Sequence, residues 1–190
     1  MICGVDEAGK GPVIGPMVIA AVSVTNAKII ENQGFKDSKL LTPKKRKELF
    51  ELIKKNYEYA IEIIEPEEID IYRRKNQLNI LNRRAFERVI SKLNPMVAYV
   101  DAADVNEERF GREIKINLTN ENDTDVISMH KADSKIPIVA AASIIAKQTR
   151  ELEIHKLKEE IGDFGSGYPS DSRTIKFLKS YFHDNSKWPS

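Results

Sequence analysis

The segment ICGVDEAGKGPVIGPMVIAAVSV, residues 2–24, decides the architecture. Ile2 to Val5 is a short apolar stretch, and Pro12 to Val24 holds a longer run with the β-branched residues Val18, Ile19, Val22 and Val24. Both are predicted as strands, joined by the polar segment Asp6 to Gly11, so the chain opens on a hairpin-like pair. Outward from it, Thr42-Pro43 is a helix start, and Leu49, Phe50, Ile53 and Tyr57 carry helical spacing to about Asn56. Tyr59, Ile61 and Ile63 alternate with Ala60, Glu62 and Ile64, which predicts a strand with one buried face. Leu78, Leu81, Ala85, Val89 and Leu93 predict a helix that stops at Asn94-Pro95. Strands are predicted at Met96 to Val100, closed by Asp101, and at Val126 to Met129, before His130 and Asp133. A long helix from Ile138 to about Ile161 starts on Ala140 to Ala142 and ends at Gly162. Gly165 to Ser172 is a loop, and Thr174 to Phe182 a last helix. Two strands followed by alternating helices and strands predict a layered α/β domain with a mixed sheet flanked by helices, ending in a helical C-terminal part.

Composition agrees with one domain over residues 1–190. With 190 residues, 41% of them hydrophobic and 31% charged, the chain can bury a core, and disorder and collagen are excluded. The longest apolar run, Pro12 to Val24, is about 13 residues against the roughly 20 that span a bilayer, so no membrane association is expected. Met1 leads directly into apolar and then acidic residues, with no signal pattern, and a cytoplasmic protein is expected. Cys3 is the only cysteine, which excludes an internal disulfide and a thiolate zinc site; a small buried residue is expected there. The net charge of +1 conceals two basic regions, Lys44 to Lys47 and the set Arg73, Arg74, Lys75, Arg83, Arg84 and Arg88. Each is either a solvated helix face or a grip on a polyanion.

Gly4 to Gly11 nearly matches a phosphate-binding loop, but Gly11 stands where a Ser or Thr is needed. Asp6 and Glu7 would put two negative charges against the phosphate, and Pro12 disfavours a helix continuing from Gly11. Adjacent carboxylates at a strand end are better metal ligands, because hard divalent cations take oxygen. Asp101 and Asp133 follow two other apolar strands, and functional groups of open α/β sheets collect at carboxyl ends of strands. Four converging carboxylates would repel one another, whereas two divalent cations cancel their charge and leave room for a phosphodiester.

These residues resemble the ribonuclease HII family, its archaeal and eukaryotic branch most closely. The resemblance is carried by Gly4 to Pro16, Asp37-Ser38-Lys39 before Leu41-Thr42-Pro43, Asp101-Ala102-Ala103-Asp104-Val105, and His130-Lys131-Ala132-Asp133. Ala141 to Lys147 and Gly165-Ser166-Gly167-Tyr168-Pro169-Ser170-Asp171 follow in family order, out to about Phe182. It implies a ribonuclease H-like fold and endonucleolytic cleavage of the RNA strand of RNA–DNA hybrids, and 5′ of single ribonucleotides in duplex DNA, leaving 3′-hydroxyl and 5′-phosphate ends. It implies Asp6, Glu7, Asp101 and Asp133 as catalytic metal ligands for two Mg²⁺ or Mn²⁺ ions. Gly9, Lys10 and Gly11 would contact the backbone around the ribonucleotide and its 2′-hydroxyl, and Tyr168 the next sugar. Lys39, Ser143 and Lys147 match positions near substrate phosphates, and 165–190 would contribute to substrate binding. Lys10 replaces an arginine of many relatives and loses its planar fork. Many relatives continue past the position of Ser190 with a basic segment that helps hold the duplex, a difference that bears on affinity more than on chemistry. A monomer is expected, and nothing in the residues supports a replication clamp as partner. His130, His155 and His183 lack metal-ligand spacing and are expected to be structural or exposed, and Trp188 a packing anchor. The alternatives are another two-metal nuclease or strand-transfer enzyme of the same fold, and a non-catalytic hybrid-binding protein.

Overall fold

The computed structural model describes residues 1–31, 33–35, 41–118 and 123–189. The block at 37–39, with Lys39, lies outside the described residues. Among the described residues, five strands, β1 (Ile2–Ala8), β2 (Met17–Val24), β3 (Glu58–Ile64), β4 (Val97–Asp101) and β5 (Asp125–Met129), form one mixed sheet in the order β3-β2-β1-β4-β5. The first three are antiparallel neighbours, while β4 runs parallel to both β1 and β5. The helices are α1 (Lys28–Glu31), α2 (Pro43–Asn56), α3 (Pro66–Arg74), α4 (Leu78–Leu93), α5 (Glu107–Asn117), α6 (Ala132–Lys135), α7 (Pro137–Ile161) and α8 (Ser172–Asn185).

All of β2 is buried, and its side chains alternate between two cores. Val18, Ala20 and Val22 face α7 and α2, whereas Met17, Ile19 and Ala21 face α4 and α5. A continuous apolar run suits a strand covered on both faces. Cys3, fully buried and unpaired, packs in the second of these cores. Thr42 caps α2 by accepting from Lys45 N at 3.2 Å, and Asn94 closes α4 in the left-handed region.

Two expectations need correction. The strand placed at Ile2 to Val5 continues to Ala8, with Asp6 paired to Ala20 and Glu7 to Ile19. Low strand propensity of acidic residues is overridden because β2 offers a ladder along the whole length, and the chain breaks only at Gly9, φ +99°. In β3, at the sheet edge, one face is buried as expected: Ala60 and Ile64 are buried while Tyr59 and Ile63 are exposed. Helices α1, α3, α5 and α6 have no counterpart among the predicted elements; α1 and α6 are single turns, α3 and α5 are short and strongly charged, and the run of apolar residues that marks α4 is absent from those two.

Candidate metal centre and its rim

Strand register brings the acidic residues together. In the parallel pair β1 and β4, Val5 lies opposite Val100, so Asp6 and Asp101 follow side by side on neighbouring strands, spaced by the ~4.8 Å of a sheet. Beyond β5, Lys131 adopts φ +57° and turns the chain into α6, where Ala132 N donates to Asp101 Oδ1 at 3.2 Å. That contact delivers Asp133. One carboxylate oxygen from each of Asp6, Asp101 and Asp133 lies within 4.8 Å of the other two. Asp6 and Asp133 are buried and Asp101 is half-buried.

Helix α7 lines the same face. Ser143 hydrogen-bonds the Asp6 carboxylate, and Lys147 Nζ stands 4.0 Å from Asp133 Oδ2. Both residues, expected near substrate phosphates, therefore also touch the acidic cluster. Burial pushes the Asp6 pKa up to about 7, reinforced by the Asp101 charge and opposed by the Ser143 and Glu7 hydrogen bonds and by Lys147.

Glu7 is not in that group of three. Successive residues of a strand face opposite sides, so Glu7 points with Cys3 and Val5 toward α4. There the fully buried Asn82 amide donates to its carboxylate. Burial raises the Glu7 pKa, while Lys10 and Asn82 act against the rise and Asp101 adds to it, so Glu7 still feels the cluster across the strand end.

The loop after β1, which carries Asp6, forms a rim on one side of the cluster. Lys10 Nζ donates to the Ala103 carbonyl, linking the loop after β1 to the loop after β4. Val13 N donates to Gly167 O at 2.7 Å, which seats the 165–168 loop, and a Cβ on Gly11 would lie 3.4 Å from the half-exposed Tyr168 ring. Gly9, Lys10 and Gly11 thus share one edge with Tyr168. A cleft beside them is lined by Gly9, Lys10, Pro12, Asp70 and Arg73. Asp171 caps α8, accepting from Arg173 N at 2.9 Å, and fastens the loop by accepting from Ser166 N at 2.9 Å. These hydrogen bonds and Arg173 hold its pKa well below the usual carboxylate range.

A depressed carboxyl pKa means that Asp171 supports the fold above its ordinary value of 3.8 and loses that support as pH falls below it. Asp171→Ala is expected to speed amide exchange at Ser166 to Tyr168 at neutral pH, leaving the β1 amides protected. Unchanged exchange there would remove Asp171 as the fastener.

Most of the arginines of the two basic regions are engaged within the protein. Arg83 pairs with Glu87 at 3.1 Å and Glu113 at 2.5 Å, Arg88 with Glu62 at 2.9 Å, and Arg46 with Glu151; Arg84 donates to Tyr72 Oη. His130, His155 and His183 are exposed, and Trp188 stacks on Phe182 with centroids 4.5 Å apart. Two residues escaped the sequence reading. Asn82 interrupts the apolar stripe of α4, and a buried amide in such a stripe calls for a polar partner. Arg150 follows Ser143 and Lys147 on one stripe of α7, and its guanidinium donates to the Ile14 and Pro16 carbonyls.

All-oxygen donors with no His or Cys suit a hard divalent cation such as Mg²⁺ or Mn²⁺. Because the Asp6 pKa is raised, its share of stability is full below 3.8 and lost as pH rises to about 7. Without divalent metal, the melting temperature should accordingly decline over that window, and added Mg²⁺ should raise it more at pH 8 than at pH 5. A magnesium shift independent of pH would refute this.

A family model described as Ribonuclease HII matches residues 3–189. The Ribonuclease HII of Methanoregula boonei is 49% identical over 185 residues, 97% of this chain and 86% of that protein. The Ribonuclease HII of Pyrococcus abyssi is 47% identical over 193 residues, 99% and 84% respectively. Among solved structures, the PCNA:RNase HII complex from Archaeoglobus fulgidus matches with TM-score 0.91 and 43% identity, over 100% of this chain and 90% of that one. The ribonuclease H2 from Pyrococcus horikoshii OT3 matches with TM-score 0.89 and 44% identity, over 99% and 90%. Bst-RNase HIII in complex with Mn²⁺ shares the fold, with TM-score 0.79 at 22% identity over 97% of this chain and 62% of that one. Among the described residues, no helix is long and apolar enough to cross a membrane.

Proposed function

The chain belongs to the ribonuclease HII family, whose members are metal-dependent endonucleases with a ribonuclease H-like fold, and from that premise we propose that it cleaves RNA in RNA–DNA hybrids and 5′ of single ribonucleotides in duplex DNA. The observation that carries this proposal is the meeting of Asp6, Asp101 and Asp133 oxygens within 4.8 Å of one another, beside a glycine-lined rim. Those three carboxylates would hold two Mg²⁺ or Mn²⁺ ions, with Glu7 completing the set from the other side of the strand. When bound, the ions supply Lewis-acid stabilisation of charge on the scissile phosphate.

The protein's own groups do the rest. Asn82 holds Glu7, and Ser143 and Lys147 orient Asp6 and Asp133. Gly9 to Gly11, free of side-chain bulk at Gly9 and Gly11, lets backbone approach the sugar whose 2′-hydroxyl separates RNA from DNA. Tyr168 packs on the neighbouring sugar, Arg73 and Lys10 face the nucleic-acid backbone, and the 165–190 segment joins the binding surface. The protein acts as a cytoplasmic monomer. The Archaeoglobus relative's complex with PCNA supports PCNA as a partner class for this chain as well.

The test is incubation of a labelled DNA duplex carrying one ribonucleotide with and without Mg²⁺, mapping the cut. Cleavage 5′ of the ribonucleotide, dependent on metal and absent from an all-DNA duplex, is expected. Cutting of the all-DNA duplex would instead assign another nuclease of the same fold, and no turnover would leave a hybrid-binding protein.

A further inference from the structure

Arg150 has a place in the fold that the chemistry above does not use. It shares one stripe of α7 with Ser143 and Lys147, four and three residues apart, but reaches past the carboxylates to the segment that follows Gly9. Its Nε donates to the Pro16 carbonyl at 3.1 Å and its Nη2 to the Ile14 carbonyl at 3.2 Å. A Cβ on Gly9 would stand 2.5 Å from Arg150 Nε and 2.6 Å from Pro16 O, so Gly9 leaves the space in which the guanidinium lies. Val13, next to Ile14, donates to Gly167 O, one residue before Tyr168. A single rigid helix thus touches the acidic cluster through Ser143 and Lys147 and the rim through Arg150. The guanidinium fork satisfies two carbonyls in one fixed orientation, which an ammonium does not do.

We propose that Arg150 is a positioning residue that fixes the offset between the carboxylate cluster and the rim of Gly9 to Gly11 and Tyr168, and thereby sets a preference for a lone ribonucleotide over a continuous hybrid. This role rests on the ribonuclease function proposed above. In a continuous hybrid every register presents a 2′-hydroxyl, so a displaced rim still meets one. A lone ribonucleotide presents its hydroxyl at one register only, and productive cutting then requires rim and cluster to be correctly spaced.

The experiment compares Arg150→Gln, Arg150→Lys and a core control, Phe50→Leu, on both substrates, with amide exchange of each protein. Phe50 is buried in the core that α2 and α7 form on one face of the sheet and, among the described residues, makes no hydrogen bond to the rim. Arg150→Gln is expected to lose roughly 10- to 100-fold in kcat/KM on the lone-ribonucleotide duplex, chiefly in kcat, and severalfold less on the hybrid. Arg150→Lys should recover part of the loss. Exchange should speed at Val13 to Gly15 and Ser166 to Tyr168 in both Arg150 variants but not in β1, and Phe50→Leu should leave the substrate ratio unchanged. Equal losses on both substrates, a ratio shifted equally by Phe50→Leu, or unaltered exchange at the rim would overturn the role of Arg150 alone. A wild-type protein that cuts neither substrate would overturn the proposed function, and the preference with it.

Discussion

Asp101→Asn is expected to abolish cleavage while leaving a folded, duplex-binding protein. Asp101 Oδ1 accepts the Ala132 amide, and an asparagine carbonyl oxygen can accept the same hydrogen bond, so the turn into α6 is preserved. What disappears is one negative charge from a three-carboxylate cluster, replaced by an amide that no longer attracts a divalent cation. A loss of about 4 kcal/mol in transition-state stabilisation corresponds to roughly 10³-fold in rate. Asp101 also raises the pKa values of Asp6 and Glu7, so its neutralisation relieves repulsion. The metal-free variant should therefore melt no lower than the parent, and its melting temperature should respond less to Mg²⁺. Turnover within tenfold of wild type would remove Asp101 from the metal centre.

The second large effect is on stability. Gly4 lies in β1 where the start of α7 crosses it; a Cβ there would be 2.4 Å from the Ile138 carbonyl carbon and 2.5 Å from both its oxygen and Val139 N. These are backbone atoms, so a methyl group can be accommodated only by moving the helix off the sheet. Gly4→Ala should cost roughly 2–3 kcal/mol, as overpacking does. At ~2–4 °C per kcal/mol, melting should fall by about 4–12 °C. Because α7 carries Ser143, Lys147 and Arg150, activity should fall along with it. An unchanged melting temperature would show that helix and strand are not in close contact at this point.

Much of the architecture is legible along the chain because its signals are local. Thr42-Pro43, the apolar stripe of α4, the Ala-rich start of α7 and the buried run of β2 each report their own element through capping or periodicity. Helices α3 and α5 are not legible in this way, since a short charged helix is stabilised by what it packs on rather than by its own pattern. The extension of β1 through Asp6 and Glu7 was hidden for a similar reason: their acidity argues for a loop, and only the β2 ladder overrules it.

The candidate site divides along the same line. The residue types, Asp6, Glu7, Asp101 and Asp133 after apolar segments with a glycine-rich stretch between, were evident from order and chemistry alone. Which oxygens meet was a matter of register: the parallel pairing of β1 with β4 sets Asp6 beside Asp101, and the two-residue period of a strand sends Glu7 to the opposite face, into the hold of Asn82. Arg150 and the Ile14 and Pro16 carbonyls lie more than a hundred residues apart in sequence. Covalent order determines what each segment can form by itself; contact between distant segments is settled by burial and pairing energies that exist only once the sheet is assembled.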